Sequence, residues 1–132
     1  MYPDTLPITV FLVEDSLAIR QRLEMLLGAI PGVSLLGHAQ ESDEAVARII
    51  ELKPDAVVLD LNLAGSSGID VLRSLSKKAP EVEVFVLTNF ANAQYRRACI
   101  GLGAKGFFDK STEFGKVRET IAARALRKTY HI

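Results

Sequence analysis

The sequence predicts an α/β fold, a single parallel sheet with helices packed on both faces. Short apolar segments rich in β-branched residues alternate with longer amphipathic ones along the chain. The apolar segments are hydrophobic almost without interruption, as strands covered on both faces are. The breaks between segments carry Pro, Gly, Ser and Asp where helices start and stop. Alternation of this kind argues for parallel strands joined by right-handed crossovers.

The elements follow in order. Ile8 to Val13 reads as the first strand. Ser16 to Ala29 reads as a helix, with Leu23, Leu26, Leu27 and nearby Ile30 on one side, capped by Asp15 or Ser16 and ended by Pro31-Gly32. The second strand is expected over Val33 to Gly37. The second helix is expected over Ser42 to Leu52, with Ser42 as its cap, Ala45, Val46, Ile49 and Ile50 facing inward, and Pro54 beyond. Ala56 to Leu59 is the third strand, and Ser67 or Gly68 opens a helix carrying Ile69, Leu72 and Leu75 that stops before Pro80. Val82 to Leu87 is the fourth strand, followed by a helix from about Asn92 to Leu102 closed by Gly101 and Gly103. A short fifth strand, Gly106 to Phe108, leads into a last helix of about Thr112 to Lys128 with Val117, Ile121 and Ala125 inward.

The 132 residues suit one domain spanning 1–132. The 16 basic and 16 acidic residues cancel, which gives no bulk attraction to nucleic acid or an anionic membrane. Cys99 is the only cysteine, so no internal disulfide forms, and a packing role on its helix is expected. Met1-Tyr2-Pro3-Asp4 lacks the pattern of a signal peptide, and no apolar run approaches the roughly 20 residues that span a bilayer. A soluble cytoplasmic protein is expected.

In an open parallel sheet, ligands bind outside the carboxyl ends of the strands. The residues expected there are Glu14 and Asp15 after strand one, Asp60 after strand three, Thr88 and Asn89 after strand four, and Asp109 and Lys110 after strand five. His38 and Gln40, after strand two, are less suggestive. Neighbouring carboxylates repel one another and raise each other's pKa unless a cation compensates. A hard divalent ion, Mg²⁺ or Mn²⁺, suits oxygen donors such as Asp15 and Asp60. An ionised Asp60 is then a competent nucleophile toward a phosphoryl group. Lys110 can pair with that phosphate and the Thr88 hydroxyl can bond one of its oxygens.

Four motifs in order, Val13-Glu14-Asp15, Val57-Val58-Leu59-Asp60, Val86-Leu87-Thr88 and Gly103-Ala104-Lys105-Gly106-Phe107 with Lys110, resemble the receiver domains of two-component response regulators over nearly the whole chain. Pro31-Gly32-Val33, Leu63-Ala64-Gly65 with Gly68, and Lys110-Ser111 resemble the NarL/FixJ-type subfamily. The resemblance implies a flavodoxin-like (βα)5 sandwich with strand order 2-1-3-4-5. It implies Asp60 as phosphoacceptor, Lys110 as its lysine and Thr88 as switch hydroxyl. Glu14 and Asp15 would be the acidic pair, with the Asn62 backbone carbonyl completing a metal site with Asp60, and Phe107 would hold the aromatic switch position. A histidine kinase or phosphotransfer protein would donate the phosphoryl group, and the face of helix four, strand five and helix five would respond, with a homodimer among its outputs. Such a chain is a switch that takes part in its own phosphorylation and dephosphorylation rather than an enzyme. A DNA-binding output domain of the kind that usually follows has no room within these residues.

The chain departs from the usual pattern in places. Glu14 stands where Asp is common, and Phe107 has no hydroxyl, so any switch there works by packing. Asn62 and Phe90 would flank the phosphate and modulate its lifetime through water access. Asp60 followed by Asn62 lacks the second aspartate that an aspartate-nucleophile phosphatase uses as general acid. A flavin phosphate would meet the acidic loop Glu14-Asp15-Ser16. His38 and His131 have no evident partner. Tyr95-Arg96-Arg97 reads as either a solvated face or a partner site, and Tyr130, His131 and Ile132 as a frayed end.

Overall fold

The computed structural model describes residues 7–63 and 65–130. Five strands form one parallel sheet: β1 Ile8–Val13, β2 Val33–Ala39, β3 Ala56–Leu59, β4 Glu83–Thr88 and β5 Gly106–Asp109. Their spatial order is β2-β1-β3-β4-β5, the flavodoxin-like order the resemblance implies. The helices are α1 Leu17–Gly28, α2 Ser42–Leu52, α3 Gly68–Lys78, α4 Ala93–Gly101 and α5 Phe114–Tyr130. A two-residue ladder, Asn62–Leu63 against Ser66–Ser67, decorates the β3–α3 connection.

Successive strand residues point to opposite faces, and two cores result. Phe11, Val13, Val57, Leu59, Val84 and Val86 meet Ala45 and Ile49 of α2, Val71, Leu72 and Leu75 of α3, and Cys99 of α4. Ile8, Val10, Leu12, Val58, Phe85 and Leu87 meet Leu23 and Leu27 of α1 and Phe114, Val117, Ile121 and Ala125 of α5. Each fully buried aliphatic side chain contributes about 2 kcal/mol. By that measure α3, which buries Val71, Leu72 and Leu75, is firmly seated, whereas α4 buries Cys99 alone.

The structure corrects several boundaries. β2 continues past Gly37 to Ala39, whose side chain is buried under α2. Val10 pairs with Leu35 and Phe11 with Gly37, so Leu36 forms a bulge that a simple apolar run does not signal. Glu41, not Ser42, caps α2: its carboxylate oxygens accept from the amides of Glu44 at 2.8 Å and Asp43 at 3.1 Å. The Ser42 amide donates instead to Ser66 Oγ across the loop. Ile50 is exposed rather than inward. α5 starts at Phe114, two residues later than expected, and Tyr130 is helical backbone rather than frayed. The readings of Met1–Asp4, His131 and Ile132, and the middle of Leu63-Ala64-Gly65, lie outside the described residues. Among the described residues, no helix is long and apolar enough to cross a membrane.

Candidate functional site

The carboxyl ends of β1, β3, β4 and β5 bring the expected residues to one edge. Asp60 follows β3, and its amide donates to the Val13 carbonyl at 3.0 Å, which ties the ends of β3 and β1 together. Glu14 follows β1 and is 2% exposed; its Oε2 accepts from the Ser16 amide at 3.1 Å, so the start of α1 orients it. Lys110 follows β5, and its amide donates to the Thr88 carbonyl at 3.0 Å, which fixes it to the end of β4.

Those backbone ties aim three charged groups at one another. Lys110 Nζ lies 2.8 Å from Glu14 Oε1 and 3.0 Å from Asp60 Oδ2. Asp60 is 5% exposed, and its Oδ1 accepts from the Asn62 amide at 3.3 Å. Glu14, Asp15 and Asp60 each offer a carboxylate oxygen, all within 4.8 Å of one another. Three carboxylates therefore face one ammonium. Burial pushes the Glu14 carboxyl above its ordinary value, and the charge of Asp60 adds to this against the pull of Lys110. Burial alone would lower the Lys110 pKa, but its bonds to Glu14 and Asp60 outweigh that and hold the ammonium charged.

The cluster opens into a cavity of about 250 Å³ lined by Asp15, Asn62, Asn89 and Phe90 as well as the paired groups. Thr88 is fully buried and does not line it; its Oγ1 accepts from the Phe90 amide at 3.0 Å. Phe107 is also inward, at 4% exposure within the core under α2, α3 and α4. Of Asn62, the amide is the group engaged with Asp60. His38 and Gln40 do not line the cavity.

Sequence reasoning noted Gly68 as a possible helix start and as part of a motif, not as a packing requirement. In the structure its first helical turn lies against the backbone of Asp60. A Cβ on Gly68 would sit 2.1 Å from the Asp60 carbonyl oxygen and 2.6 Å from Leu61 Cα, so no other residue fits. A lone Gly at a helix start, eight residues after Asp60, was the only available signal. The sharing of one lysine between Glu14 and Asp60 was likewise invisible, because Glu14 and Asp60 are distant in sequence.

Chemically, an oxygen-donor cluster with excess negative charge at the floor of a cavity suits a hard divalent cation. The donor set fits Mg²⁺: carboxylates from two strand ends, with room beside them for water or phosphate oxygens.

The sequence profile of the response regulator receiver domain matches residues 10–122. The chain is 35% identical over 103 residues to the DNA-binding transcriptional activator DevR/DosR of Mycobacterium tuberculosis, covering 78% of this chain and 48% of that protein. Among solved structures, a LuxR-family two-component response regulator from Aurantimonas sp. superposes with a TM-score of 0.84 at 25% identity, over 91% of this chain and 86% of that one. The CheX-CheY-BeF3-Mg²⁺ complex from Borrelia burgdorferi shares the fold, with a TM-score of 0.83 at 23% identity over 90% of each chain. The chain spans about half the length of the curated relatives it matches.

Proposed function

The chain belongs to the response regulator receiver domain family, and from that premise we propose that it is a phosphoacceptor switch with Asp60 as the acceptor. The observation that supports this most is the pairing of a buried Asp60 with Lys110 in a cavity holding two further carboxylates.

The proposed donor is a phosphohistidine on a sensor kinase or phosphotransfer protein. An oxygen of Asp60 attacks phosphorus and forms an O–P bond as the P–N bond breaks, and the electron pair leaves with the imidazole nitrogen, which takes up a proton. Mg²⁺ or Mn²⁺ held by Glu14, Asp15, Asp60 and the Asn62 carbonyl would neutralise charge on the phosphoryl oxygens. Lys110 then exchanges its bond to Asp60 for one to the phosphoryl group, and Glu14 keeps it positioned. Thr88 turns its hydroxyl from the Phe90 amide to a phosphoryl oxygen. Phe107 repacks, and the populations of two arrangements of the α4–β5–α5 face shift. Asn62 and Phe90, at the cavity mouth, set water access and so the lifetime of the acyl phosphate. The relatives are about twice as long as the matched stretch, and one of them is a DNA-binding transcriptional activator. The part proposed for residues 1–132 is reception of the signal in the cytoplasm and its relay by protein contact, a homodimer included, without direct contact to nucleic acid.

Incubation with a small acyl phosphate and Mg²⁺, read by intact mass, tests this. Wild type should gain one hydroxylamine-sensitive phosphoryl group, and Asp60→Asn none. No phosphoryl group on wild type, or equal uptake by the variant, would overturn the reading.

A further inference from the structure

We propose that Arg96 is a latch that holds α4 closed on β5, and that its release carries a change at Lys110 to the α4 surface. The proposal rests on the reading of Asp60 only for the identity of the trigger.

α4 has little apolar hold on the sheet. Cys99 is its only buried residue, while Tyr95 and Ile100 are 38% and 47% exposed. Arg96 supplies a polar tie. Its Nη1 donates to the Phe107 carbonyl at 3.3 Å, and its Cζ lies 5.9 Å from the centre of the Phe107 ring. One planar guanidinium thus donates a hydrogen bond and faces a π system at once, which an ammonium cannot do in the same way. The guanidinium charge is also felt at Glu113, the residue before α5. The Glu113 carboxyl is held below its ordinary range, first by the Asp109 amide, then by Lys116, with Arg96 adding to it. Helix α4 and strand β5 therefore meet around one side chain.

The same strand leads to the reactive cluster. Phe107 is three residues before Lys110. Asp109 between them donates its amide to Glu113 Oε1 at 3.0 Å. A shift of Lys110 toward a new anion moves the end of β5, and Arg96 is the α4 side chain bonded to that strand. Phe107 has no hydroxyl with which to find a new partner, so its carbonyl and ring face are what α4 can sense. Loss of the hydrogen bond and the cation–π contact together should change the closed-to-open ratio of α4 about tenfold.

Amide hydrogen exchange in the full chain, without a phosphodonor, reads this directly. Arg96→Ala should speed exchange in α4 about tenfold and leave β1 and β3 unchanged, with Arg96→Lys in between. Wild type should show the same α4 opening only after addition of beryllium fluoride and Mg²⁺, an acyl-phosphate mimic. An Arg96→Ala variant with intact β1 protection and wild-type α4 exchange overturns the latch. Faster exchange in β1 as well would show a structural role only, and would overturn it too. If beryllium fluoride leaves α4 of the wild type unchanged although the protein takes up a phosphoryl group at Asp60 by intact mass, the relay is overturned. If the protein takes up none, the reading of Asp60 fails and the Arg96→Ala exchange alone decides the latch.

Discussion

Two Asp–Lys pairs bracket β3. Asp55 before the strand lies 2.6 Å from Lys128, and Asp60 after it lies 3.0 Å from Lys110. At the amino edge each carboxylate has its own cation. Asp55 Oδ2 also accepts from the Thr9 amide and hydroxyl, at 2.8 and 3.1 Å, and Lys128 also donates to the Pro7 carbonyl. The neighbouring Glu83 has its own partner, Arg124. At the carboxyl edge Lys110 serves Glu14 and Asp60 together, with Asp15 close by. The amino-edge pair is about one-quarter exposed, and the carboxyl-edge pair is under one-tenth exposed. The chemistry of the two pairs is the same. What separates the two edges is the negative charge left over after pairing at the carboxyl edge, where the paired groups are buried.

Substitutions can break that contrast, and urea unfolding measures them. Gly68→Ala should have the largest effect, about 3 kcal/mol of lost stability, because the new methyl meets backbone on both the Asp60 and Leu61 sides. A loss below about 1 kcal/mol would mean that the β3–α3 connection is softer than its packing indicates. Asp55→Ala comes next. It leaves the Thr9 amide without its acceptor and Lys128 with the Pro7 carbonyl but no carboxylate, and should cost about 2 kcal/mol, with phosphoryl uptake unaltered. Asp60→Asn should be smaller and opposite in sign. It removes one of three crowded carboxylates while Lys110 keeps Glu14, so without divalent metal stability should hold or rise by up to about 1 kcal/mol. A clear loss for Asp60→Asn would show that the two edges are alike after all.

The smallest expected effect is in the pH profile. Burial raises the Asp55 carboxyl, but Lys128 and Thr9 outweigh it, and the net pKa falls below the ordinary 3.8. Because the folded value lies below the unfolded one, the contribution is complete above pH 3.8 and is lost as pH drops through the folded value. Asp55→Asn should flatten the acid limb of the stability curve in that window. An unchanged limb would place the acid sensitivity elsewhere.

The carboxyl edge was legible in the sequence because its residues sit at strand ends and the strands announce themselves by hydrophobicity. Glu14, Asp15, Asp60 and Lys110 all arrive at one cavity for that reason. Thr88 was placed at the right strand end, yet it is buried away from the cavity lining, a matter of side-chain direction that spacing does not encode. The amino edge was not legible. Asp55 and Lys128 lie 73 residues apart, and neither stands in a pattern that singles it out. The cap of α2 was misread because Ser is the commoner cap, while Glu41 reaches the same amides with a longer side chain. The exposed Tyr95-Arg96-Arg97 stretch of α4 was read as a solvated face or a partner site. How little of the rest of the helix is buried was not legible, because a helical period tells which residues share a face, not how deeply that face sinks.

The amino-edge anchor has a mechanical consequence. Lys128 lies near the far end of α5 and grips Asp55, the residue just before β3. Asp60 lies five residues further along the same chain segment, roughly 16 Å away at the rise of an extended strand. Tension applied to the end of α5 therefore loads the strand that ends at Asp60, through one ion pair and four strand residues.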